Sequence, residues 1–348
     1  MNLLKNKKKV ILMGLLIAIL ALAGCNDASG DEGAGEIVVY SARNENFVDA
    51  LLDKFQQDTG IEVRALHGGE TIVNRVKEEG NNVQADVFIS NDIGALEHLR
   101  IEGLLEPIER EDFKGIEEQY RGEDNSWIAL SARTRVLMYN KDLITEEEMP
   151  KKIWDLTDPQ YQGEFAITRG GNGGMIGHVS ALRNEWGDQG TMEWIEGVKD
   201  NAGGILQGHG DIRRAVGAGE FKFGLVNNYY YHQQLGEPSN NNVDVIYPDQ
   251  GADEMGAVVN AAGIGRIKDG PNDQSLEAFV EWILEPENQQ MFSNESLEVP
   301  INPDIEVVEG ARAISEYKVQ GMSLRELGNV WEDTRRLIEE SGLDLEIR

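Results

Sequence analysis

From Glu36 onward the chain alternates short apolar runs with segments whose apolar residues recur at helical spacing, a rhythm that few folds accommodate. The run "EIVVYSA" precedes "FVDALLDKFQQDTG", in which Phe47, Val48, Leu51, Leu52 and Phe55 share one helical face and Gly60 ends the helix. "IEVRAL" follows, then a helix through Ile72, Val73 and Val76, then "ADVFIS" and a helix carrying Leu96 and Leu99. Strands separated by helices in this way predict an α/β sheet with parallel strands. The pattern restarts after "WIALSARTRVLMYN": "GEFAIT" leads into helices through Ile176, Val179 and Leu182 and through Met192, Ile195 and Val198, then come "FKFGLVNN", "VDVIYP" and "MGAVVNAAGIG". A chain of 348 residues with two such series predicts two α/β domains.

The first residues stand apart from this rhythm. Lys5, Lys7, Lys8 and Lys9 precede an uninterrupted apolar run from Val10 to Ala23, too short for a comfortable membrane span and shaped like a secretory signal over residues 1–24. Leu22-Ala23-Gly24-Cys25 resembles a bacterial lipobox, which implies cleavage before Cys25, lipidation of its sulfur and tethering outside the cytoplasm. Cys25 is the single cysteine, so no intramolecular disulfide is possible. Residues 25–35, small, polar and acidic, are expected to be a flexible tether.

The formal charge is −30, and loss of residues 1–24, with four lysines and no acid, takes it to −34. Such a surface argues against nucleic acid or anionic lipid as partners, which call for clustered Lys and Arg, and leaves the lipid anchor as the expected membrane contact. The acids are spread along every segment, as befits a salty habitat better than a cation site. Metal-protease helices, phosphate-binding loops ending in Gly-Lys-Ser/Thr, nucleophile elbows and a cysteine nucleophile are all missing, and the five histidines are scattered, so an enzyme is disfavoured.

Ligands of open α/β sheets bind beyond the carboxyl ends of strands. Those ends carry Ser41, Arg43 and Asn44; Asn91 and Asp92; Arg169 to Gly174; and Asn227 to Tyr231. In "TRGGNGGMIGHVSAL", Asn172 is placed to cap a helix whose first amides, bared by Gly173 and Gly174, suit an anion. In "NNYYYHQQ", adjacent Tyr229 and Tyr230 converge on one point only if the chain turns there, and Asn227-Asn228 supplies a turn. Two phenolates are hard donors suited to a highly charged cation such as Fe³⁺, although aromatic packing is the commoner use of such residues. Tyr231 is expected to face outward into packing.

The ordered blocks "VVYSARN", "TGIEV", "EGNNVQADVF", "GLLEPI", "WIALSARTRVLMYN", "VNNYYYHQQ", "GAVVNAAGIG" and "EVPINP" together resemble the ferric-iron-binding solute-binding proteins of bacterial ABC transporters. The resemblance implies a two-lobed, type II periplasmic-binding-protein-like clamp. Its N-terminal lobe would be 36–130 plus 258–305, its C-terminal lobe 131–257 plus 306–348, with hinge crossovers near 127–139 and 254–264. It implies further that Tyr229 and Tyr230 coordinate Fe³⁺, while Asn172, Gly173, Gly174 and Asn227 hold a synergistic anion (carbonate, phosphate or citrate-like) that His209 contacts. A monomer delivering its cargo to ABC permease subunits is expected. The sequence departs from the family at the metal: Asn44 stands where several relatives have a histidine ligand, Asn91 where they have a glutamate, and Gly174 lies in the region where others supply a further tyrosine. The shell would then rest on the two tyrosines, exogenous anion or water, and Asp92. The alternative is the same scaffold binding a small organic anion, a phosphonate or carboxylate, through Arg43, Arg169 and the helix-start amides.

Overall fold

The computed structural model describes residues 35–348 apart from positions 44, 70, 344 and 346, so the leader 1–24, Cys25, the tether up to 34 and Asn44 lie outside the described residues. The first unit is β1 (Glu36–Ser41), α1 (Glu45–Thr59), β2 (Glu62–His67), α2 (Thr71–Glu79), β3 (Val87–Ser90) and α3 (Ile93–Ile101). Val48, Leu51, Leu52 and Phe55 of α1 are buried as the spacing predicts, and Gly60 takes φ 76° immediately after the helix, a conformation glycine reaches without penalty. Phe47 differs: it is half-buried, and its ring meets Tyr229 edge-on at 6.4 Å.

The long strand β4 (Trp127–Asn140) is buried along its whole length. After it come β5 (Phe165–Thr168), α4 (Gly173–Asn201, interrupted at Gly187), β6 (Gly204–Leu206), α5 (His209–Ala218), β7 (Phe223–Asn227), α6 (Asn228–Leu235) and β8 (Val243–Ile246). The chain then returns through β9 (Val259–Arg266), α7 (Asp273–Ile283), α8 (Pro286–Asn294) and β10 (Val299–Pro300), and ends in α9 (Glu326–Ser341).

The strands are ordered β2-β1-β3-β9-β4-β7-β5-β6, with β8 and β10 also paired to β4. β1 is parallel to β2 and β3, and β5 to β6 and β7, as the alternation predicts. β9 and β4 are not: both run antiparallel to their neighbours, because they are the segments that carry the chain from one series to the other. β4 changes partner midway. Trp127 to Thr134 pair with β9, whereas Arg135 to Tyr139 pair with β7 and Leu137 to Asn140 with β8. The Arg135 N–H donates to Val258 O at 2.9 Å, stitching the two crossings together where the partner changes.

The buried apolar side chains form one continuous core that spans this junction. Phe55, Phe279 and Trp282 cluster under β1 and β3, and Phe165 stacks on Phe223 beneath β5 and β7. Side chains of this size contribute roughly 1.5–3 kcal/mol each on burial. α9 packs on both α3 and α4. Trp331 is buried, stacks on His98 of α3 and donates its indole N–H to Asp92 at 3.2 Å, while Thr334 meets Ser180 of α4 at 3.1 Å. Among the described residues no helix is long and apolar enough to cross a membrane.

Candidate functional site

β7 is apolar and fully buried up to Asn227, where the chain turns into α6. The expected turn is thus the start of a helix, and Tyr229 and Tyr230 occupy its first turn. Their rings lie 4.4 Å apart, tilted by 35°. Tyr231 points elsewhere and hydrogen-bonds Asp244. The Asn227 side chain does not cap α6; its Oδ1 accepts from Arg135 Nη1 at 3.0 Å and its Nδ2 donates to the Tyr229 hydroxyl at 3.3 Å. The Asn228 Oδ1 accepts from the Thr134 N–H at 3.0 Å, which ties the turn to β4.

A second wall comes from the glycine-rich turn. Asn172 caps α4 as the sequence predicts, its Oδ1 accepting from the Gly174 N–H at 3.0 Å. His209 opens α5 and lies so close that a Cβ on Gly174 would stand 2.5 Å from its Nε2 and 3.5 Å from Arg135 Nη1. The structure therefore gathers Asn172, Gly174, His209, Asn227, Tyr229 and Tyr230 around Arg135, with Gly173 beside them in the same turn.

Electrostatics follow from burial. Desolvation, reinforced by the Arg135 and Arg133 charges, holds the His209 pKa well below its usual range, so the ring is neutral and Nε2 accepts from Arg135 Nη1 at 3.0 Å. Burial likewise lowers the Arg135 guanidinium to about 9, opposed by its tyrosine neighbours. Its Nε and Nη2 are buried without a hydrogen-bond partner. Burial, with Tyr229 next to it, raises the Tyr230 phenol pKa. The site thus sets two adjacent phenols beside a buried guanidinium that has donors to spare. Among the described residues no group of three or more His, Cys, Asp or Glu is arranged to hold a metal ion.

The remaining expected residues are engaged elsewhere. Both terminal nitrogens of Arg43 donate to Glu298 Oε2 at 3.1 Å. Asn91 donates to Ala42 O at 3.1 Å. Asp92 caps α3, its carboxylate accepting from the Gly94 N–H at 2.8 Å, Asn260 Nδ2 at 2.8 Å and the Trp331 indole. Arg169 is half-buried at the entry to the glycine turn, its N–H donating to Leu206 O at 2.9 Å. Sequence reasoning missed Arg135 and its neighbour Arg133. The signal was present: "SARTRVLMYN" sets two arginines at alternate positions, hence on one face of an otherwise apolar strand.

Comparison with known proteins gives the class first. The sequence profile of the family described as bacterial extracellular solute-binding protein matches residues 82–316, and the chain belongs to that family. Among its relatives, the Fe(3+)-binding periplasmic protein of Serratia marcescens is 31% identical over 285 residues, spanning 80% of this chain and 82% of that protein. Iron-bound HitA from Pseudomonas aeruginosa matches with a TM-score of 0.82 at 27% identity, covering 88% of this chain and 99% of HitA. Trichodesmium IdiA (FutA) in complex with iron and citrate matches with a TM-score of 0.76 at 27% identity, covering 88% and 99%. The fold is thus the two-lobed, type II periplasmic-binding-protein-like α/β fold.

Proposed function

We propose that this protein is the extracytoplasmic iron-capturing component of an ABC importer, binding ferric iron through Tyr229 and Tyr230 together with an exogenous anion. The observation that carries the reading is the juxtaposition of the paired phenols, 4.4 Å apart, with a buried arginine whose Nε and Nη2 have no partner. A trivalent cation between the phenols ionises them, and an anion bound to it satisfies Arg135 and the Gly173 amide in a space lined by Gly174, Asn172, Asn227 and His209. With Asn91 committed to Ala42 and Asp92 to its cap, the anion completes most of the shell. Carbonate, phosphate and citrate all suit these donors, and the iron and citrate complex of the Trichodesmium relative favours citrate.

Lobes of 36–130 plus 258–305 and of 131–257 plus 306–348 would move about hinges within 127–139 and 254–264. The midway change of partners along β4 supports this division, and the Phe47 contact with Tyr229 fits a closed arrangement in which the first lobe covers the ligand. Closure is favoured to the extent that the ligand touches both lobes. Delivery to a membrane permease, a monomeric state and anchoring through lipidated Cys25 complete the proposal.

Loading the metal-free protein with ferric citrate is expected to give a visible tyrosinate-to-iron charge-transfer band that is lost when Tyr229 and Tyr230 become Phe. A colourless protein that binds a phosphonate equally well before and after those substitutions would reject iron in favour of an organic anion.

A further inference from the structure

Within electrostatic reach of Tyr230 lies a buried carboxylate that the ferric reading does not use. Glu298, immediately before β10, is 2% exposed. Its Oε2 accepts from both terminal nitrogens of Arg43 and from the Ser131 hydroxyl, and its Oε1 lies 4.0 Å from Arg133 Nη1. The Arg43 guanidinium also stacks over the Phe292 ring at 4.4 Å, so its position is fixed from two sides. Arg133 has no other carboxylate within ion-pair distance among the described residues. Glu298 and Arg133 both act on the Tyr230 phenol, in opposite senses, which brings the cluster within electrostatic reach of the metal donors.

Three guanidinium groups, of Arg43, Arg133 and Arg135, therefore converge near the site, with Glu298 as the carboxylate among them. Left without that carboxylate, Arg43 and Arg133 would join Arg135 in being available to an exogenous anion, because an anion and Glu298 compete for the donors of those two.

We infer that Glu298 is a positioning and selectivity residue for the bound anion: anchored by Ser131, it holds Arg43 over Phe292 as an internal ion pair, and so withholds that guanidinium from the anion. The inference rests on the anion-binding reading above and adds to it a built-in limit on the negative charge the site accepts. Glutamine at 298 keeps the shape and an acceptor for Arg43 but removes the counter-charge.

The test is calorimetric titration of the iron-free protein with citrate, and separately with inorganic phosphate. Glu298→Gln is expected to bind citrate about tenfold more tightly than the wild type, equivalent to ~1.4 kcal/mol, with a steeper dependence on salt. Adding Arg43→Leu on that background is expected to return the affinity towards the wild-type value. Unchanged citrate affinity in a cooperatively folded Glu298→Gln protein overturns the inference, as does a gain that the double variant keeps in full. Loss of the ferric charge-transfer band in Glu298→Gln without a change in citrate affinity also overturns it, making Glu298 a metal ligand instead. Should Glu298→Gln fail to fold, Arg43→Leu alone serves: Glu298 then turns its charge on Arg133, and citrate binding is expected to weaken about tenfold, no change being the overturning result. A wild type that binds neither anion, with or without iron, rejects the anion reading itself and this inference with it, whereas a binding wild type matched by Glu298→Gln rejects the inference alone.

Discussion

Gly174 and His209 meet with no room between them: a β-carbon on Gly174 would lie 2.5 Å from His209 Nε2, the nitrogen that accepts from Arg135 at 3.0 Å. The glycine therefore does more than bare a helix amide. It lets the imidazole reach the arginine and keeps both within one anion-sized space. Gly174→Ala is expected to displace the ring and weaken ferric citrate retention by about tenfold. Alanine is the better helix former in the first turn of α4, so the thermal midpoint is expected to stay within about 2 °C of the wild type. Equilibrium competition with a chelator and a melting curve on the same samples check both halves.

Arg135 is a buried cation with no ion-pair partner among the described residues, so its burial is costly unless an anion offsets it. Arg135→Met keeps a long side chain and removes the charge. The iron-free variant is expected to be as stable as the wild type or more so, by on the order of 1 kcal/mol, after allowing for the lost bonds to His209 and Asn227. Ferric citrate retention is expected to fall about a hundredfold. Opposite movements of stability and binding, read by denaturant titration and chelator competition, separate a ligand-holding arginine from a structural one.

Much of this arrangement was legible in the sequence, and the rest was hidden for physical reasons. Helix faces, the Gly60 stop and the Asn172 cap are set by residues within a few positions of one another, so spacing alone reveals them. The antiparallel crossings of β4 and β9 depend on which segments carry the chain between lobes, and alternation says nothing of that. Asn172, Asn227 and the tyrosines stand at a helix start and a strand end, where local sequence points to them, and His209 follows from the family resemblance; the arginine at their centre lies mid-strand, where neither signal reaches. Asp92 illustrates the converse. At a strand end it has the profile of a ligand, but its partners Asn260 and Trp331 lie 168 and 239 residues away and were invisible to any local argument.

Those partners make Asp92 a structural residue in this state, and the assignment can be checked. Asp92→Ala removes the cap of α3 and leaves the Trp331 indole N–H and the Asn260 amide without their acceptor. The expected loss is about 3 kcal/mol, from one cap and the orphaned buried donors. The position of the ferric charge-transfer band in protein that remains folded is expected to match the wild type. A shifted band would instead return Asp92 to the metal shell.

Asp249 offers a test of stability against pH that is independent of the ligand. Its carboxylate is buried, and burial, with Glu254 and Asp155 nearby, raises its pKa to about 6, although the Ile153 N–H donates to it at 3.0 Å and opposes the shift. The native state therefore binds a proton more tightly than the unfolded chain. Between the unfolded value, about 4, and the folded value, stability falls as pH rises, and above about 6 the full penalty is present. Asparagine removes the charge, retains an oxygen to accept from Ile153, and suits the positive φ of 59° at this position. Asp249→Asn is thus expected to raise the melting temperature by on the order of 2 °C at pH 7.5. That advantage is expected to shrink towards zero as the pH falls to about 4. Melting curves of both proteins across that range decide it, and a difference that is constant with pH would assign the effect to backbone conformation and not to the buried charge.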